Sequence, residues 1–196
     1  MPASTYAVIA IYVFFGLVEL FRSRLFDKQE QTRNDAVIEV VSTFMVLVIT
    51  QPTILLFVQY MMGVYLPEYR DSLANINIFA AIGLFLIFED MMQYWWHRAS
   101  HSTHWLYNLH RAHHNGRYMS IRLVYRNNII YYAMMPSIWL AAALVYLGLG
   151  WVYAGYIIVK QLVIIGAHSD VAWDKPLYEI KALSPVNEPS LPLNST

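Results

Sequence analysis

Six of the seven histidines of this chain, His97, His101, His104, His110, His113 and His114, fall within 18 residues. An even spread of seven over 196 residues would put fewer than one there. They form an HxxxH, His97-Arg98-Ala99-Ser100-His101, and an HxxHH, His110-Arg111-Ala112-His113-His114. On a helix, residues three and four apart share a face, with Cβ atoms about 5–6 Å apart. His97 and His101 therefore project together, and so do His110, His113 and His114. Two such faces turned toward each other hold transition metal ions through imidazole nitrogen. Imidazole suits zinc, copper, iron and nickel alike, so the spacing does not choose among them. Structural zinc is satisfied by four ligands. Five or six clustered histidines point to more than one ion.

Residues around the two motifs extend the candidate site. Asp90, Tyr94, His97 and His101 fall at i, i+4, i+7 and i+11 of one helical stripe. Asp90 is then a partner that orients an imidazole, or a direct ligand. Alternatively, Glu89 and Asp90 are simply polar residues at the end of a span. His104 shares the face of His101 but stands outside both motifs. His168, in Gly166-Ala167-His168-Ser169-Asp170, closes the last apolar block and joins the cluster if the chain has returned to the same side there.

The elements that must position these residues are apolar. The chain is 58% hydrophobic and only 13% charged, with a mean hydropathy of +0.39. Thirteen basic residues balance thirteen acidic ones, which excludes a basic nucleic-acid binder. No cysteine is present, so disulfides, thiolate chemistry and cysteine-based zinc or iron–sulfur sites are excluded. These figures predict an all-α, polytopic membrane bundle of about four to five helices. Tyr6 to Phe21 reads as a short, retained first span. Residues 36–66, about 46 Å long as helix, read as one span kinked at Gln51-Pro52. Residues 76–96 form the next. Residues 129–167, about 58 Å as helix, predict a hairpin turning at Gly148-Leu149-Gly150. Lys160, inside its second arm, either snorkels or faces a cavity.

Basic residues concentrate in 22–35, 97–128 and the tail, which places those segments in the cytosol. The histidine-rich cap is thus cytosolic, on a bacterial inner membrane or the endoplasmic reticulum. Tyr94, Trp95, Trp96, Trp105 and Tyr107 read as an interfacial aromatic belt. A divalent-metal transporter is disfavoured, since the histidines lie outside the spans and transporters place ionisable groups along them.

The run Asp90-Met-Met-Gln-Tyr94-Trp-Trp-His97-Arg-Ala-Ser-His101, then Trp105, then His110-Arg-Ala-His113-His114-Asn115, resembles the fatty acid hydroxylase (sterol desaturase) superfamily. His168-Ser169-Asp170, beyond the hairpin, resembles that family's next conserved histidine. The resemblance covers 85–183 of a single membrane-embedded domain, 1–183, with 184–196 a disordered, divergent tail. It implies a non-haem di-iron oxygenase. Two iron ions would be held by His97, His101, His110, His113, His114 and His168, with Asp90, His104 and Tyr94 as orienting groups or further ligands. It also implies O2 as co-substrate, a cytochrome b5- or ferredoxin-type electron donor, and hydroxylation or desaturation of a lipid such as a fatty acyl chain or sterol. The family's third box, another HxxHH, would follow Leu183-Ser184-Pro185-Val186. Here the chain reads Asn187 to Thr196 without one. That departure predicts a shortened chain with six family-matching histidines, where a full di-iron set uses eight or more. It keeps a second reading open: a catalytically inactive membrane protein that binds metal only in part.

Overall fold

The computed structural model describes residues 3–22, 33–116 and 118–169. The predicted disordered tail, Lys175, Lys181 and Asp170 lie outside the described residues. Every regular element among those described is helical.

α1 (Ala3–Phe21) is the short apolar helix expected from its sequence. α2 (Arg33–Phe44), a π-helical turn (Met45–Thr50) and α3 (Gln51–Tyr65) form one continuous helix. The sequence predicts a kink at Pro52, and the regular α-helical pattern is interrupted there while the chain stays helical. Proline has no N–H and its ring crowds the carbonyl four residues back. The turn before it widens: the Gln51 N–H bonds the Val46 carbonyl, and Thr50 Oγ1 donates to the Met45 carbonyl at 3.0 Å.

The chain returns through α4 (Ile78–Phe85), a second π-helical turn (Leu86–Asp90) and α5 (Met91–Ser102). Asn77 caps α4 by accepting the Phe79 N–H at 2.8 Å. Thr103 is extended (φ −112°, ψ 116°) and breaks α5 from α6 (His104–His114). After a short 3-10 turn (Ile121–Leu123) come α7 (Ile129–Ala133), α8 (Pro136–Leu144), a third π-helical turn (Val145–Leu149) and α9 (Gly150–His168).

Three helical stretches, Asn34–Tyr65, Ile78–Ser102 and Pro136–His168, are long and apolar enough to cross a membrane. The last is two arms. Gly148 has φ +101°, and there the chain turns. Leu73 and Asp71 donate their N–H groups to the Leu147 and Tyr146 carbonyls at 2.8 and 3.2 Å, which pins this turn on the loop after α3. At the opposite end Met135 packs with Leu106 and Tyr131, and His168 meets His113. Both arms therefore return to the histidine end, as the hairpin expectation requires.

Small cores fasten the helices. Phe15 of α1, Val46, Ile121, Tyr125 and Ile165 of α9 form one cluster, and Phe85, Ala141, Leu149 and Val152 another. Outward faces stay apolar and exposed, as at Phe57, Phe79 and Val159. A soluble protein rarely leaves so much apolar surface uncovered; here lipid covers it. Of the expected aromatic belt, Tyr94, Trp95, Trp105 and Tyr107 are exposed. Trp96 turns inward against Tyr131, ring centroids 5.7 Å apart.

Gly148 is the residue this fold can least exchange. A Cβ there would stand 2.9 Å from the Ala74 Cβ and 3.0 Å from the Asp71 Cα, in a left-handed backbone. Gly148→Ala is expected to destabilise the protein by about 1–2 kcal/mol from the backbone alone. Thermal unfolding in detergent, followed by circular dichroism, checks it; Gly155→Ala, with nothing within 4 Å, is the control.

Candidate metal centre

α5 carries His97 and His101 in the last turns of the apolar stretch Ile78–Ser102, and α6 turns back after Thr103, so the two histidine faces close on each other. The ligand atoms of His97, His101, His110 and His114 all lie within 4.8 Å of one another. Nε2 of His97 and His101 are 3.2 Å apart, and Nε2 of His110 and His114 are 3.0 Å apart. His113 leaves this group. Its Nε2 lies 3.2 Å from Nε2 of His168 at the end of α9. The expectation that His110, His113 and His114 act together is thus divided. Adjacent residues on a helix point about 100° apart, so the i+3 and i+4 positions of the HxxHH face different partners.

The donor set fits a metal. Two neutral imidazole nitrogens at 3.0–3.2 Å either share a proton or repel through their lone pairs. An ion at about 2.1 Å from each nitrogen puts neighbouring ligands about 3.0–3.4 Å apart and opposite ones about 4.2 Å apart. The 4.8 Å spread of the group then needs closing by about 0.6 Å between opposite ligands, or about 1.4 Å in a tetrahedral site.

The far sides of the rings are fixed to match. His113 Nδ1 lies 3.1 Å from the Leu123 carbonyl, and His168 Nδ1 lies 2.8 Å from the Ile164 carbonyl. Both carbonyls can only accept, so Nδ1 carries the proton and Nε2 presents its lone pair. His110 Nδ1 lies 3.3 Å from Asn127 Nδ2, while the buried Asn127 Oδ1 has no partner. Turning that amide over brings the orphaned oxygen onto the His110 Nδ1–H. This is the arrangement a metal on Nε2 demands.

Burial pushes the His110 imidazole down to about 3, and its neighbours His97, His113 and His114 push the same way. His113 falls to about 4, first by burial and then by His168 and His114. His114 is lowered too, by burial and by His101 and His168. These rings are neutral near pH 7, which is the ligating form.

Several groups that sequence did not single out hold this arrangement. Glu19 of α1 is fully buried. It accepts from Ser120 Oγ at 2.8 Å, the Ile121 N–H at 3.1 Å and Ser169 Oγ at 3.2 Å. It thereby joins α1, the loop after the HxxHH and the residue next to His168. Glu39 of α2 accepts from Tyr118, and Asp35 pairs with Arg126 at 2.7 Å. A lone carboxylate inside an apolar run was the available signal for Glu19. For Asn127 there was only a polar triplet before an apolar block.

Other expected residues stand apart. Asp90 does not orient a histidine; it accepts from the Tyr156 hydroxyl at 2.6 Å and lies 3.8 Å from Lys160 Nζ. Seven residues of helix, about 10 Å of rise, separate it from His97, and Tyr156 and Lys160 are nearer. Tyr94 is exposed and accepts from Arg98 at 2.9 Å. His104 is exposed beyond the Thr103 break, outside the group of four. Lys160 faces inward and pairs with Glu89.

The four-histidine group is the one such group among the described residues. His97, His110, His113 and His168 line a cavity of about 470 Å³ that also touches Leu55, Ala141 and Ile157 of α3, α8 and α9. The sequence pattern of the fatty acid hydroxylase family matches residues 82–187, 106 of the 196 residues. No curated protein and no solved structure matches the chain.

Metal titration of the purified protein with Co(II), read by its visible spectrum, separates ligands from bystanders. His101→Ala is expected to weaken binding about 100-fold or more, and Asn127→Leu about 10- to 100-fold. His104→Ala should leave it unchanged. A second expectation concerns acid. The unfolded chain binds protons at His110 and His113 near their ordinary 6.5, the folded chain only near 3 to 4. Metal-free protein is therefore most stable above 6.5 and loses stability as pH falls toward 4. Unfolding midpoints from about pH 7.5 to about pH 4.5 check this; the double variant His110→Gln, His113→Gln should flatten the slope.

Proposed function

Because the chain belongs to the fatty acid hydroxylase family, we propose that it is a membrane-bound, O2-dependent, non-haem iron oxidoreductase that hydroxylates or desaturates a C–H bond of a lipid. A fatty acyl chain or a sterol is the substrate class. The observation that carries this is the placement of four of the six imidazoles on the wall of a largely apolar cavity among membrane-crossing helices. A water-soluble substrate would have no use for such a cavity.

His97, His101, His110 and His114 take one iron ion, and His113 and His168 supply two ligands toward a second. Bound iron supplies the reduction of O2 and the oxidation of an unactivated C–H bond, chemistry that side chains alone do not offer. The residues of the chain do the rest. Leu123, Ile164 and Asn127 hold the rings so that Nε2 faces inward. Leu55, Ala141 and Ile157 exclude water and lie along an acyl chain or ring. We place the histidine end on the cytosolic side, where Arg98, Arg111, Arg122 and Arg126 gather and where a cytochrome b5- or ferredoxin-type donor docks.

One observation favours a narrower reading. Among the described residues the second locus has two histidines, not four. A protein holding one ion at the first group, without turnover, is that alternative. Purification with iron, metal analysis and NAD(P)H-dependent O2 uptake with lipid extract decide between them. About two irons per chain and an oxidised lipid support the oxidoreductase. One iron without product selects the alternative, and less than one iron with no product overturns both.

A further inference from the structure

A second hollow lies behind the metal cavity, on the outside of the bundle. It is a groove of about 630 Å³ between α4–α5 and α9, lined by Ile82, Leu86, Trp151, Val159 and Val163 among others. Gln93, Lys160 and Ile164 line both the groove and the cavity. Their side chains are the wall between the two spaces.

That wall is polar where an inert partition would be apolar. Lys160 pairs with Glu89, which lines the cavity, and lies 3.8 Å from Asp90, which lines the groove. The Tyr156 hydroxyl donates to both carboxylates, to Asp90 at 2.6 Å. Both acids sit in the π-helical turn Leu86–Asp90, and such turns recur at functional sites. All four groups lie inside membrane-crossing helices. Ionisable residues there are costly and mark pathways. The metal ligands do not need them, since none bonds a histidine. Hydrogen bonds and ion pairs can part without unfolding the helices, and the four-carbon stem of lysine can swing aside.

We infer that the groove and the cavity are one route, closed by the Glu89–Lys160–Tyr156–Asp90 clasp, through which a single hydrocarbon chain of a membrane-resident lipid passes sideways from the bilayer. Apart from the clasp and Gln93 the groove is lined by apolar side chains, and it opens on the face that lipid tails cover, so its occupant is a lipid chain. The inference rests on the proposed reading that the cavity receives a lipid, and it sharpens that reading. The substrate arrives as a bilayer lipid, not as a water-borne carrier thioester.

The chain has no cysteine, so single cysteines can be placed and labelled with a bimane fluorophore. Ile157→Cys reports on the cavity, Val159→Cys on the groove, and Ser72→Cys on the loop beyond the spans. The protein is reconstituted into phosphatidylcholine vesicles whose acyl chains carry bromine, a contact quencher. Quenching is expected at 157 and 159 and not at 72. Tyr156→Phe removes the hydroxyl that bridges the two acids and should raise quenching at 157 about threefold or more, the low end of the net effect of losing a hydrogen bond. Quenching at 157 no greater than at 72, with 159 quenched and in both backgrounds, overturns the route. The wild-type comparison decides the matter alone if Tyr156→Phe does not fold. Neither metal nor turnover is needed. A protein that quenches at 157 but oxidises nothing loses the enzymatic reading and keeps the route, and the converse result removes only the route.

Discussion

Imidazole nitrogens that face each other at 3.0–3.2 Å cannot be left to themselves. Their lone pairs repel, and burial denies His110 and His113 the protons that would relieve the repulsion. The surrounding chain must force them together at a cost that a bound cation would offset. Much of the architecture is legible as that force. α5 and α6 are joined by a single extended residue, Thr103, which leaves little slack between the two pairs. The α8–α9 hairpin carries His168 back to His113. The 118–127 segment is strapped to α1 and α2 by Glu19, Glu39 and Asp35, so the Leu123 carbonyl and the Asn127 amide stand fixed behind their rings.

The strap is unusual in its chemistry. Glu19 is buried and accepts from Ser120, Ile121 and Ser169, and Glu39 meets Arg122 and Arg126 at 3.5 Å. A buried carboxylate survives when its lone pairs are filled with good geometry. Removing one partner leaves the other desolvated and unmatched, which costs more than the bond itself contributes. The strap therefore gives location more than stability. It fixes which loop lies over which ring, and a hydrophobic contact of equal area would not.

Much of this was readable in the sequence, and the boundary between what was and was not is physical. Local rules sufficed for the two histidine pairs, since i to i+4 spacing is a property of the helix alone. The Gly148 turn was equally local, because its left-handed backbone wants glycine. Pro52 marked a disturbance correctly, but that it takes the form of a π-helical turn depends on the residues packed around it. Asp90 was read by spacing as a partner of histidine. Its actual partners, Tyr156 and Lys160, lie more than sixty residues on, and no periodicity reveals them. The same holds for Glu19 with Ser120 and for Asn127 with His110. Ligands repeat along a helix and announce themselves; the groups that aim them come from elsewhere in the chain.

The division of the HxxHH between two partners has a consequence for how this segment can vary. His114 turns to the group of four and His113 to His168, from adjacent positions on one helix. Adding or deleting a single residue between His110 and His113 would rotate what lies beyond it in α6 by about 100°, turning His113 from His168 and His114 from the group of four at once. Substitutions at outward positions such as Asn108 or Arg111 leave both loci in register. The stretch is thus open to changes of letter and closed to changes of length, and its fixed spacing works as a reading frame written in three dimensions.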